Sequence, residues 1–212
     1  MRKKFDSLCL GSTLRLTYIK RVLISSLIIF LVGIAPANAD NDTGMRLVSA
    51  ALTQIGKTIL YDPGYKSLTY PNGDLPLDRG VCTDVIVRAF RTGLGLNLQV
   101  LVHEDMQRAF KEYPQNWGLT APDKNIDHRR VENLQTYFKR RGWSRAVSNK
   151  AEDYKPGDLV TCIVPPHLPH IMIVSDKKNM FGRPLIIHNI GAGAQEEDRL
   201  FEFKHTARFR IE

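Results

Sequence analysis

The strongest constraint on this chain is a change of period at Lys155. Before it, apolar residues recur at helical spacing; after it, they fall in short β-rich blocks. Thr43 to Lys57 reads as an amphipathic helix with Val48, Ala51, Leu52 and Ile55 inward. Cys82, Val85, Ile86, Ala89 and Phe90 form the apolar face of a second helix ending near Gly93 and Gly95. His103–Phe110 predicts a short third helix. A fourth runs to Arg141, with Asp127 as candidate N-cap and Gly142 as C-cap. Then Pro156-Gly157-Asp158 turns the chain into Leu159–Val164, His170–Asp176, Leu185–Ile190, Leu200–Phe203 and Ala207–Ile211, all expected strands. Helices followed by an antiparallel meander predict an α+β fold, N-terminal helices packed on an antiparallel β-sheet.

The first 39 residues read as a secretory signal peptide. Lys3, Lys4, Arg15, Lys20 and Arg21 lead an apolar run from Val22 to Ile34, and Ala37-Asn38-Ala39 fits a small-x-small cleavage site. That run is too short, and too soon followed by Pro36, for a membrane span. An uncleaved anchor is the alternative. The expectation is a periplasmic or otherwise exported protein with one domain over residues 40–212 and no stable membrane span after cleavage. Taking six basic residues and one acid out of residues 1–39 lowers the formal charge from +8 to +3. No basic stripe with interleaved aromatics remains, which argues against nucleic acid as a partner.

Cys9 leaves with the leader, so Cys82 and Cys162 remain. In an oxidising compartment the two could join as a disulfide. Alternatively, Cys82 is a nucleophile. It follows Gly80 at the start of its helix, where free N–H groups and the helix dipole favour a thiolate. A buried core cysteine is the plainer reading. On the polar side of the helix, Asp84 and Arg88 have the spacing of an i,i+4 ion pair.

A thiol nucleophile needs a base and a group that orients the base. His170 opens one strand and His188 lies near the end of the next. If the strands are antiparallel neighbours, the two rings come within hydrogen-bond reach. Asn189 has the opposite strand parity to His188, so only one of them faces the site. His167 and His170 also suggest a metal reading, with His188 or Cys162 added, but Pro169 spoils a regular scaffold and no helical H-E-x-x-H is present. The long loop from Tyr61 to Arg79 has the length of a functional loop. Arg129 or Arg130, beside His128, could hold a substrate carboxylate; capping and a solvated face are the alternative.

The order of a helix-start cysteine, Pro156-Gly157-Asp158-Leu159-Val160, a strand opening with His170, then Ile187-His188 resembles the bacterial papain-like, NlpC-type cell-wall cysteine peptidases. The strings Tyr61-Asp62-Pro63, Tyr70-Pro71-Asn72-Gly73-Asp74, Arg79-Gly80-Val81-Cys82-Thr83-Asp84-Val85, His103-Glu104-Asp105-Met106, Asn125 to Val131 and His188-Asn189-Ile190-Gly191 look like an uncharacterised bacterial family, number 1287 among the domains of unknown function. The resemblance implies a papain-like hydrolase domain with Cys82 as nucleophile, His170 as base and His188 as orienting group. It needs no cofactor and no metal. It implies an oxyanion tyrosine in the long loop, Tyr70 by position with Tyr61 behind it. Asp84, His128, Arg129, Arg130 and Asn189 are candidate substrate contacts, and peptidoglycan or its peptide fragments the candidate partner. Two departures stand out: Thr83-Asp84 replaces the usual Ser-Gly, and Pro165–Pro169 precedes His170. Three functions fit: amide hydrolysis in cell-wall peptides, acyl transfer at the same thiol, and envelope binding without catalysis.

Overall fold

The computed structural model describes residues 37–212, with side chains from residue 42 onward. The expected leader lies almost wholly outside the described residues; its cleavage point, after Ala39, falls in the first turn of α1.

Four helices, α1 (Ala37–Leu52), α2 (Cys82–Ala89), α3 (Leu98–Ala109) and α4 (Val131–Arg140), precede most of the sheet. Two short strands, β1 (Leu60–Tyr61) and β2 (Arg79–Gly80), pair in parallel inside the long loop. Then β3 (Ser144–Arg145), β4 (Leu159–Val164), β5 (Leu168–Lys178), β6 (Pro184–Asn189), β7 (Ala194–Glu197) and β8 (Lys204–Phe209) form one antiparallel sheet in the order β3-β8-β4-β5-β6-β7. The architecture is α+β.

Strand alternation divides the core in two. Leu159, Ile171, Ile173, Ile187 and Phe209 face the helices and join Leu47, Val85, Ile86, Phe90 and Phe138. Val160, Cys162, Met172, Val174 and Ile186 face the other way and are covered by Tyr154 and Leu200. Phe138 of α4 stacks on Phe90 of α2 at 5.7 Å and meets the edge of Phe209 of β8 at 5.4 Å. These aromatic contacts lock the helices to the sheet and so fix the height of Cys82 above it.

Several local expectations yield to long-range packing. The first helix stops at Leu52, because the Gln54 side chain turns in to donate to the Val85 carbonyl at 2.9 Å. Ile55 is consequently exposed. Asp84 and Arg88 do not pair. Arg88 instead binds Asp74 of the long loop at 2.9 Å and donates to Thr58 Oγ1 at 3.0 Å. The loop covers the polar side of α2, so every residue of that helix is buried. Arg130, not Asp127, caps α4; Asp127 opens a short 3-10 turn instead. Leu200–Phe203 is a turn rather than a strand, closed by the Glu202 N–H donating to the Arg199 carbonyl and by an Arg199–Glu202 ion pair. Leu200 goes into the outer core, which its alternation with Phe201 could not distinguish from a strand.

Candidate active site

Cys82 is the first residue of α2, and the turn before it is held from three directions. The Val81 N–H donates to Asp84 Oδ2 at 2.7 Å, one half of a capping box. Arg129 grips that carboxylate from the far side, Nε to Oδ1 at 2.9 Å and Nη2 to Oδ2 at 3.1 Å. The same guanidinium donates to the carbonyls of Asp62 (2.9 Å) and Gly64 (3.0 Å), tying the long loop to the helix start. Asn189 at the end of β6 donates to the Gly80 carbonyl at 2.9 Å. Gly80 has to be glycine here, since a Cβ would lie 2.9 Å from that of Asp84.

The thiol is 4% exposed. The expectation of a depressed pKa is overturned: burial pushes Cys82 up to about 12. The Ile171 N–H pulls the other way, the Asp84 carboxylate adds to the rise, and the Thr83 and Cys82 N–H groups oppose it. In a two-turn helix with its first turn under a covering loop, desolvation outweighs the dipole.

The Ile171 nitrogen that faces the thiol is bonded to the carbonyl carbon of His170. The thiol therefore lies against the peptide that carries the imidazole. Cross-strand pairing with Cys162, and shared parity with Met172, place the His170 side chain on the outer face of the sheet. Cys82 belongs to the helix-side core. The link between them is the backbone: the β5–β6 register runs to Ile173 with Ile187, and beyond it the Ile171 N–H faces the sulfur.

His170 Nε2 lies 2.8 Å from His188 Nδ1, the rings edge to face. His188 Nε2 lies 2.7 Å from Glu197 Oε2 on β7. Both rings are about 1% exposed. Burial, then the neighbouring His188 and Arg199, lowers the His170 pKa to about 3. His188 is also lowered, chiefly by burial, with Glu197 opposing. The site thus holds a neutral thiol and a neutral imidazole. His170 Nδ1 makes no hydrogen bond among the described residues. Glu197 was not legible in advance. Its strand, Ala194-Gln195-Glu196-Glu197, lacks the β-branched and aromatic residues that announce a strand, and only its pairing with β6 brings it to His188.

A cleft of about 230 Å³ opens above Cys82, walled by Tyr61, Trp117, Arg129, Arg130 and Leu168. Larger hollows lie elsewhere among the described residues, one of about 420 Å³ beside α4 and β8, and do not include Cys82; neither histidine of the pair lines them or the cleft. Tyr61, rather than Tyr70, borders the thiol. The β1–β2 pair carries it there, and burial together with the charges of Cys82 and Asp84 raises its pKa to about 12. Tyr70 instead packs on His103 of α3 at 5.3 Å, because the adjoining turn docks through Gly73 N–H to Gln99.

Among the other candidate contacts, Arg130 stands at the cleft, its guanidinium 4.1 Å over the Trp117 ring. Arg129 also lines the cleft, but it is spent, with Asp84 and Asn189 beneath, on the helix start. His128 is buried, away from the cleft wall, with its pKa lowered to about 3 by burial and then by Arg129. Cys82 and Cys162 are both free thiols. Among the described residues, no group of three or more His, Cys, Asp or Glu side chains is arranged to hold a metal ion, and His167 is exposed on its loop.

Comparison with known proteins gives three results. Residues 48–211 match the family described as "Domain of unknown function (DUF1287)". The "Uncharacterized protein YijF" of Escherichia coli (strain K12) is 51% identical over 169 residues, 80% of this chain and 82% of that protein. Among solved structures, that of NlpC1 from Trichomonas vaginalis aligns over 84% of this chain and 45% of its own, with a TM-score of 0.42 and 14% identity. The chain spans less than half the length of that structure.

Proposed function

This chain belongs to the DUF1287 family, whose description assigns no reaction, and we propose from its site that it is an exported cysteine hydrolase cutting amide bonds in peptidoglycan peptides. The observation that carries this reading is a helix-start cysteine, Cys82, against the Ile171 N–H, one residue along the chain from the His170 of a hydrogen-bonded His170–His188 pair. A structural core cysteine requires no such relay, and two buried imidazoles sharing a proton beside a thiol are costly to keep without a use.

The chemistry follows from the neutral resting pair. Cys82 Sγ attacks the scissile carbonyl carbon while its proton passes to His170 Nδ1. The oxyanion is met by the unpaired N–H groups at the start of α2, with the Tyr61 hydroxyl as second donor. Collapse breaks the C–N bond, and His170 returns the proton to the leaving amine. Water then attacks the thioester, gives its proton to His170, and releases the carboxylic acid and the thiol. Arg130, over the Trp117 ring at the cleft, suits a carboxylate of the stem peptide. The basic leader followed by Ala37-Asn38-Ala39 supports export, and the resemblance read from the sequence supports the wall as substrate.

Purified sacculi incubated with the protein and with Cys82→Ala provide the test, with product masses measured. Wild type should release defined muropeptides and the variant none. Wall binding that survives Cys82→Ala, with no release by wild type, would leave an envelope-binding module instead. A product mass showing a new amide adduct would indicate transfer at the same thiol.

A further inference from the structure

The hydrogen bonds around His188 admit one consistent placement of protons. The Glu197 carboxylate only accepts, so in the 2.7 Å contact His188 Nε2–H is the donor. A neutral imidazole has a single N–H, which leaves His188 Nδ1 as an acceptor. That atom lies 2.8 Å from His170 Nε2, so His170 Nε2–H must donate to it. The single proton of His170 is then accounted for, and its Nδ1 carries a lone pair.

We propose that Glu197 is a positioning residue for the histidine pair: its carboxylate fixes both tautomers, so that His170 keeps an unprotonated Nδ1. The use of that lone pair as a base rests on the hydrolase reading above; the assignment of protons does not. The carboxylate is itself held. Arg199 Nη1 lies 3.5 Å from Glu197 Oε2, and Glu202 binds the other side of the same guanidinium at 2.7 Å. The groups facing the pair are therefore Cys162 from β4, Glu197 from β7, and Arg199 and Glu202 from the turn that follows. The strand order makes this possible. Glu197 is registered opposite Ile186, two residues from His188, and so shares its face of the sheet. When Nδ1 takes up a proton, the positive charge spreads through the two rings toward the carboxylate, as an oriented carboxylate does for a catalytic imidazole.

The test uses the full chain labelled with ¹⁵N-histidine, and two-bond ¹H–¹⁵N correlation spectra report which ring nitrogen carries the proton. Wild type should show His170 and His188 neutral and both protonated on Nε2. An Nδ1–H on either ring overturns the assignment, whatever any variant does. In Glu197→Ala the His188 tautomer should become mixed, and alkylation of Cys82 by iodoacetamide should slow at least about tenfold, a fraction of the roughly 10²–10⁴ that a positioned base contributes. A folded Glu197→Ala with unchanged tautomers and alkylation rate overturns the role of Glu197. Neither readout needs a substrate. Failure to digest sacculi with both rings still protonated on Nε2 would remove the hydrolase reading and leave this inference standing.

Discussion

Asp84→Asn and Arg129→Met test whether the buried ion pair under the cleft is structural. Side-chain exposures are 4% for Asp84 and 2% for Arg129. Asp84 accepts three hydrogen bonds, from the Val81 N–H and from Nε and Nη2 of Arg129, while Arg129 also carries the Asp62 and Gly64 carbonyls. Removing one partner leaves the other charge buried and unpaired, which costs about 3–5 kcal/mol. For a domain of this size each kcal/mol lowers Tm by about 2–4 °C, so each single variant should melt roughly 6–20 °C below wild type. The double variant removes both charges together. It should be far less destabilised than the sum of the singles, with a coupling of about 3 kcal/mol. Thermal melts of the four proteins, followed by circular dichroism, measure this directly. If Arg129 instead served a substrate carboxylate, Arg129→Met would leave Tm within about 2 °C of wild type and raise KM. That result, or an additive double variant, would refute the reasoning.

Tyr61→Phe and Tyr70→Phe separate the two loop tyrosines. Losing an oxyanion donor at Tyr61 should lower kcat by about 10²–10³, while Tyr70→Phe stays near wild type; equal effects would refute the assignment. Acid should destabilise the fold well before the ordinary carboxylates titrate. His170 and His128 are displaced down from 6.5 to about 3, and His103, His188 and His205 are lowered as well, so between those values the unfolded chain binds at least two protons more than the native one. Asp127 is raised from 3.8 to about 6 by burial and binds one proton more in the native state, opposing them. The difference is at least one proton, so stability should rise with pH at no less than about 1.4 kcal/mol per unit between about pH 4 and 6. Urea midpoints across that range check it, and a flat or falling profile would refute it.

What could be read from the sequence was set by short-range periodicity. Cys82 at a helix start follows from Gly80 and one amphipathic turn, and the meeting of His170 with His188 follows from two successive strands and the turn between them. What could not be read was set by partners far along the chain. Asp84 has the spacing to pair with Arg88, and an isolated helix would pair them; the long loop brings Asp74 to Arg88, and Arg129, 45 residues on, takes Asp84. Tyr61 and Tyr70 are both loop tyrosines, and only a two-residue parallel pairing of Tyr61 with Gly80 decides between them. The thiol pKa follows the same logic. The helix dipole is a local property and argues for a thiolate, whereas burial is a property of the assembled fold and prevails. A buried neutral thiol also has a functional consequence under the proposed mechanism. The nucleophile would be generated only when His170 takes its proton in the presence of a carbonyl, so the groups that hold the histidine proton in place, Glu197 among them, bear on the rate as directly as the helix that presents the sulfur.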